Sequence, residues 1–93
     1  MKYEVILKPA AVRDLNRIRK YDVVKILNAI ERHLVREPRK ESKSRIRRLR
    51  GKQPADYRLR VGDFRIFYAV EETAIHILRV MRKRETNSYY KEV

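Results

Sequence analysis

Three arginines in one short stretch, Arg58, Arg60 and Arg65, are the residues of this sequence best suited to chemistry. They lie in the run Tyr57-Arg58-Leu59-Arg60-Val61-Gly62-Asp63-Phe64-Arg65-Ile66-Phe67-Tyr68, where Gly62-Asp63 separates two alternating segments. A two-residue loop with glycine in its first position predicts a type II′ hairpin, and that loop length sets the strand register. Val61 then faces Phe64, Arg60 faces Arg65, Leu59 faces Ile66, Arg58 faces Phe67 and Tyr57 faces Tyr68. Side chains alternate across a strand, so Tyr57, Leu59, Val61, Phe64, Ile66 and Tyr68 share one face while the three arginines share the other. Like charges placed directly opposite each other destabilise a sheet by up to roughly 1 kcal/mol. A bound anion removes that conflict, because guanidinium forks match pairs of phosphate oxygens. A carboxylate from Asp56, Glu71 or Glu72 would also remove it, and a fully solvated face would soften it.

Further cations flank the hairpin. Arg45, Arg47, Arg48, Arg50 and Lys52 lead into it, while Arg79, Arg82, Lys83 and Arg84 close the last alternating run. Together they predict a groove of positive potential, which suits a strand of RNA better than a small anion. A formal net charge of +13 points the same way, toward a polyanionic partner. Other chemistries lack their residues. His33 and His76 are the only histidines, cysteine is absent and no metal-ligand spacing occurs, so neither a metal nor a cofactor is expected. With glycine only at Gly51 and Gly62 there is no phosphate-cradling loop. Arginine with tyrosine remains, and such a set can cleave RNA without metal. A base takes the 2′-OH proton, guanidiniums stabilise the pentacovalent phosphate, and the 5′-oxygen leaves. Tyrosine is a weak base at its ordinary pKa of about 10, but neighbouring guanidiniums favour the phenolate. Tyr89 and Tyr90 follow the Arg84 cluster; they could swing over the sheet or simply pin the C-terminal tail.

The elements that must position these groups follow from periodicity. Tyr3, Val5 and Leu7 alternate with Lys2, Glu4 and Ile6 and predict a first strand. Pro9 suits the start of a helix carrying Ala11, Leu15 and Ile18, which runs to about Arg19. Asp22 reads as the N-cap of a second helix with the apolar stripe Val23, Ile26, Leu27, Ile30 and Leu34, ended by Pro38. Residues 39–48 read as a basic loop giving way to strand near Arg45. Strands are expected over 55–61, 64–71 and 74–81, with the tail a short helix or ordered loop. The order β-α-α-β-β-β predicts a single α+β domain spanning 1–93, an antiparallel sheet with two N-terminal helices packed on one face. The absence of a membrane-length apolar segment or signal sequence makes a cytoplasmic protein with no membrane partner the expectation.

Several stretches resemble the RelE/ParE superfamily of toxins from type II toxin–antitoxin systems. They are Leu49-Arg50-Gly51, Tyr57-Arg58-Leu59-Arg60, the run Gly62 to Tyr68, and Lys83-Arg84-Glu85 with a tyrosine a few residues on. Tyr3 to Leu7, Ala11, Leu15 and Pro38 also fall where that family has its first strand, helices and helix end. The resemblance to the RelE branch implies a metal-independent, ribosome-dependent mRNA interferase, an endoribonuclease that cuts mRNA in the A site by 2′-OH attack. It also implies a cognate antitoxin, and operator DNA bound only as the toxin–antitoxin complex. It assigns catalytic roles to Arg58, Arg60, Arg65, Arg84 and Tyr90, with Tyr89 the second choice for the tyrosine. Arg45, Arg47, Arg48, Arg50, Lys52 and Lys83 would bind RNA. Arg58 and Arg60 match positions usually held by lysine. The lysine at the second is thought to protonate the leaving 5′-oxygen, and arginine is a reluctant acid. Lys52, Lys83 or water would deliver the proton instead. ParE-type members share the fold but act on DNA gyrase by protein contact. A non-catalytic RNA- or ribosome-binding module is the remaining alternative.

Overall fold

The computed structural model describes residues 2–51 and 53–88. Strand β1 (Glu4–Leu7) leads into helices α1 (Pro9–Asn16) and α2 (Lys20–His33). Strands β2 (Ile46–Arg48), β3 (Tyr57–Val61), β4 (Phe64–Glu71) and β5 (Ala74–Arg82) follow, and a 3-10 helix spans Lys83–Ser88. The five strands form one sheet in the order β1-β5-β4-β3-β2. This is the expected α+β fold, with two refinements. The strand foreseen near Arg45 is the short edge strand β2, and β1 pairs with β5 in parallel while every other pairing is antiparallel.

The central hairpin has the register that its Gly62-Asp63 loop predicts, with Arg60 opposite Arg65 and Tyr57 opposite Tyr68. Gly62 has a φ of +56° and Asp63 does not share that positive sign, the pattern a II′ turn requires. Tyr57, Leu59, Phe64, Ile66 and Tyr68 join Ala11, Leu15, Ile26 and Ile30 in one core, so the apolar face of the hairpin is the face the helices cover. Within that core the Tyr57 and Tyr68 rings stack at 5.6 Å. The Tyr68 hydroxyl donates to the Pro38 carbonyl at 2.7 Å, and burial together with Tyr57 pushes its pKa upward. Pro38 thus anchors the segment after α2 to the sheet. Replacing Tyr68 by Phe leaves that carbonyl unsatisfied and should cost about 1–2 kcal/mol. A fall in Tm of about 5–10 °C is then expected in thermal circular dichroism; an unchanged Tm would show that the bond contributes nothing.

Both helices begin earlier or end sooner than their periodicity suggests. Pro9 occupies the first turn of α1 as expected, but α1 ends at Asn16. Helix α2 starts at Lys20, so Asp22 is not its N-cap. Asp22 instead sits in the first turn and accepts from Arg19 Nε at 2.9 Å, a favourable place for a carboxylate beside the positive end of the helix. Helix α2 closes at His33, ahead of Pro38. Ile26, Ile30 and Leu34 of the predicted stripe are buried, whereas Leu27 points outward. No helix among the described residues is long and apolar enough to cross a membrane.

Candidate phosphate-binding cleft

The arginine face of the β3–β4 hairpin opens into a cleft of about 530 Å³. Lys43, Arg47, Arg58, Arg60, Arg65, Lys83 and Arg84 line it, and Asp63 is the one carboxylate among its described lining residues. Four elements and the loop before β2, which carries Lys43, bring these cations together. Strands β3 and β4 supply Arg58, Arg60 and Arg65, β2 supplies Arg47, and the 3-10 helix supplies Lys83 and Arg84.

The repulsion foreseen at Arg60–Arg65 is extended by a second pair. Antiparallel pairing sets Arg47 directly opposite Arg58, so two like-charged cross-strand pairs lie on one side of the sheet. Each should cost up to roughly 1 kcal/mol in isolation. Two of these arginines are also withdrawn from water: Arg58 is 7% exposed and Arg65 9%. Phe67, fully buried, stands opposite Arg58 on the same side of the hairpin. Arg65 Nη1 donates to the carbonyls of Gly62 and Phe64, at 2.9 Å each, which folds its guanidinium back along the turn. A fixed, half-desolvated guanidinium interacts more strongly with a phosphate than a mobile surface one does, because little entropy and little water remain to be lost. Asp56, Glu71 and Glu72, the other groups able to neutralise the arginines, lie outside the cleft. Asp56 accepts from the backbone N–H of Val70 at 3.1 Å, and Glu71 approaches His76 Nε2 at 3.7 Å.

A bulge in β5 decides which cations of the last strand reach the cleft. The register slips between Phe67 and Tyr68, which pair with Arg79 and Ile77, leaving Leu78 as the extra residue. Past the slip, Val80 joins the helix-facing core and Arg82 lies over the Phe64 ring at 4.7 Å. Arg79 meets Asp14 of α1 in a two-pronged pair, Nε to Oδ2 at 2.8 Å and Nη2 to Oδ1 at 2.9 Å. The backbone N–H of Val80 donates to the same carboxylate at 2.8 Å. Neither arginine lines the cleft: Arg79 is tied to α1 and Arg82 to the Phe64 ring. Beyond the bulge, the Lys83 N–H donates to the Asp63 carbonyl at 2.8 Å, tying the 3-10 helix to the hairpin turn. Glu85 accepts from the Arg82 N–H and Thr86 donates to the Lys83 carbonyl, which closes the turn that presents Lys83 and Arg84.

Of the predicted site residues, the cleft gathers Arg47, Arg58, Arg60, Arg65, Lys83 and Arg84. Arg48 and Arg50 are exposed outside it. Arg45 lies in a second cleft of about 410 Å³, with Arg32, His33 and Arg36. Lys52, Tyr89 and Tyr90 lie outside the described residues. Lys43, Ser44 and Thr86 are lining residues that sequence reasoning did not single out. Lys43 and Ser44 follow Ser42, whose backbone N–H and hydroxyl both bond the Arg45–Ile46 backbone to make a tight turn, and a Ser-Lys-Ser run before a strand is the only trace of it.

Residues 5–87 match the family described as ParE toxin of type II toxin-antitoxin system, parDE. The chain belongs to this toxin family. Its fold is shared with solved structures of toxins bearing both names, RelE and ParE. It is 25% identical to a chain of the toxin–antitoxin complex RelBE2 from Mycobacterium tuberculosis, with a TM-score of 0.74 over 88% of this chain and 99% of that one. Against a chain of the archaeal RelE–RelB complex from Pyrococcus horikoshii OT3, identity is 28% and the TM-score 0.72, covering 91% and 99%. A chain of the chromosomal ParDE system from P. aeruginosa shares the fold at 17% identity, with a TM-score of 0.66 over 87% and 96%. No curated protein sequence matches the toxin.

Proposed function

We propose that the toxin is a RelE-like mRNA interferase that cuts ribosome-bound mRNA with the arginine cleft and a tyrosine of its C-terminal segment. The observation that carries this reading is the cleft itself, where seven cations converge and two arginines are almost buried. A flat basic surface would serve loose attraction, but partly buried guanidiniums are a costly way to achieve it. Arg58 and Arg65 hold the scissile phosphate from below, and Arg60 and Arg84 meet the charge that builds on its oxygens as it becomes pentacovalent. Tyr90, as phenolate, accepts the 2′-OH proton, the 2′-oxygen bonds to phosphorus, and the bond to the 5′-oxygen breaks. The products are a cyclic phosphate and a 5′-hydroxyl, and the 5′-oxygen takes a proton from Lys83, Lys43 or water. The two lysines of the cleft suit this step better than Arg60, because an ammonium gives up a proton more readily than a guanidinium.

A cognate antitoxin is the proposed protein partner, as in the toxin–antitoxin complexes of the similar structures. A second reading draws on the family signature, which carries the ParE name: a toxin that acts on DNA gyrase by protein contact. The two readings separate in cells. Under tightly controlled expression, mapping of mRNA 5′ ends should find codon-phased cuts with the wild type and none with Tyr90→Phe, which keeps ribosome binding. Toxicity with intact mRNA and damaged DNA would favour the gyrase reading. Equal loss of ribosome binding and cleavage in Tyr90→Phe would make that tyrosine structural.

A further inference from the structure

The second basic cleft lies on the other side of the segment that borders the first. Ser42, Arg45 and Ile46 line one cleft, while Lys43, Ser44 and Arg47 of the same segment line the other. The chain from Ser42 to Arg47 is thus a narrow ridge at the β2 edge of the sheet with a positive hollow on each flank. In the second hollow Arg32 and Arg36 are four residues apart at the end of α2, and Arg45 approaches from the ridge. Four cations, Arg32, Arg36, Lys40 and Arg45, share the described lining with two carboxylates, Glu37 and Glu41, so the hollow stays positive. Glu37 pairs with Lys40 at 3.4 Å, and Glu41 accepts from the backbone N–H of Arg48 at 2.9 Å. His33 reports the resulting field: burial, then the proximity of Arg45 and Arg32, lower its pKa. Arg32 sits in the last helical turn, where a cation complements the helix dipole. That accounts for one of the three arginines. Arg36 and Arg45 lie beyond the helix and gain nothing from it.

We propose that Arg32, Arg36 and Arg45 form a second RNA-backbone site, which holds phosphates of a strand that rounds the β2 edge after leaving the first cleft. This site supplies grip without chemistry. No tyrosine stands among its described lining residues, and its carboxylates are held by Lys40 and the Arg48 backbone. A continuous path over both flanks of the ridge would let a long strand use both hollows, while a short one would use the first alone. The inference extends the proposed RNA-directed function, but its test does not depend on cleavage.

The test measures binding of uncleavable 2′-O-methyl RNA by fluorescence anisotropy at several salt concentrations, with one probe of about 20 nucleotides and one of about four. Arg32→Ala/Arg36→Ala should weaken the long probe about tenfold. The slope of log affinity against log salt should flatten by about 1.4, the value for two lost single-strand phosphate contacts. Binding of the short probe should stay unchanged. Both side chains are exposed, so a native far-UV spectrum is expected. An unchanged affinity for the long probe would overturn the site, including the case in which the variant loses only an acidic protein partner. Equal weakening of both probes would overturn it as well, since the arginines would then act through the first cleft. Failure of the interferase reading looks different: both probes bind as described, and no mRNA is cut.

Discussion

Arg65→Ala should lower mRNA cleavage by about 10²–10³-fold, the usual loss when one fixed donor to a developing oxyanion is removed. Arg65 is a constrained guanidinium of the cleft. Two backbone carbonyls of its own hairpin turn hold it, and only 9% of the residue is exposed. Its charge is therefore already in place before RNA arrives, which is the condition under which electrostatic stabilisation is largest. Arg65→Lys separates charge from geometry. The lysine keeps the charge but loses the fork that fills two carbonyls and still faces the phosphate, so an intermediate rate is expected. Loss of the turn contacts should cost only about 1–2 kcal/mol of stability, which leaves the protein folded. Single-turnover cleavage, paired with a thermal melt, checks the prediction. An Arg65→Ala variant that cuts at the wild-type rate would remove the cleft from the mechanism.

Asp14→Ala carries the largest expected effect on stability, about 2–4 kcal/mol, because it strands a paired guanidinium and a strand N–H at once. Asp14 joins α1 to the bulged part of β5 through three bonds of 2.8–2.9 Å. Its side chain is only 11% exposed, although Arg79 at 32% keeps some contact with water, which moderates the loss. A domain of 93 residues has only about 5–14 kcal/mol in total, so such a change would place it close to unfolding at physiological temperature. Asp14→Asn retains an acceptor for the Val80 N–H and should lose less. Urea denaturation read against the wild type measures both. A loss below about 1 kcal/mol in Asp14→Ala would mean that the pair is a surface contact with little net worth.

The fate of Arg79 illustrates where sequence reasoning reaches its limit. The β3–β4 register was legible because a two-residue Gly62-Asp63 loop leaves one pairing, and every residue from Tyr57 to Tyr68 then falls on a determined face. Strand β5 offers no such constraint. Its bulge lies beside Asp14 of α1, some sixty residues away in sequence, and the alternation Ile75, Ile77 gives no sign of the shift that moves Val80 into the core. The basic residues at the end of that strand and just beyond it accordingly divide: Arg79 reaches Asp14 of α1 and Arg82 lies over Phe64, while Lys83 and Arg84 line the cleft. Similar reasons cover the remainder. Arg47 enters the cleft and Arg48 does not because β2 pairs with β3 for just three residues, a strand too short to announce its register. Asp22 had the chemistry of an N-cap, but Arg19 supplied an extended residue three positions earlier and the helix began there. The hairpin register put Arg58, Arg60 and Arg65 on one face; the second hollow, built from a helix end and a ridge far apart in sequence, needed the fold.

The most direct test of the interferase mechanism is the chemistry of the cut itself. Purified toxin is mixed with ribosomes programmed with an mRNA whose A-site codon carries either ribose or a single 2′-deoxyribose on the nucleotide that donates the attacking oxygen. The ribose mRNA should yield a cyclic phosphate and a 5′-hydroxyl, and the deoxy mRNA should remain whole. Cleavage of the deoxy mRNA, or an intact ribose mRNA in the presence of active, folded toxin, would contradict it.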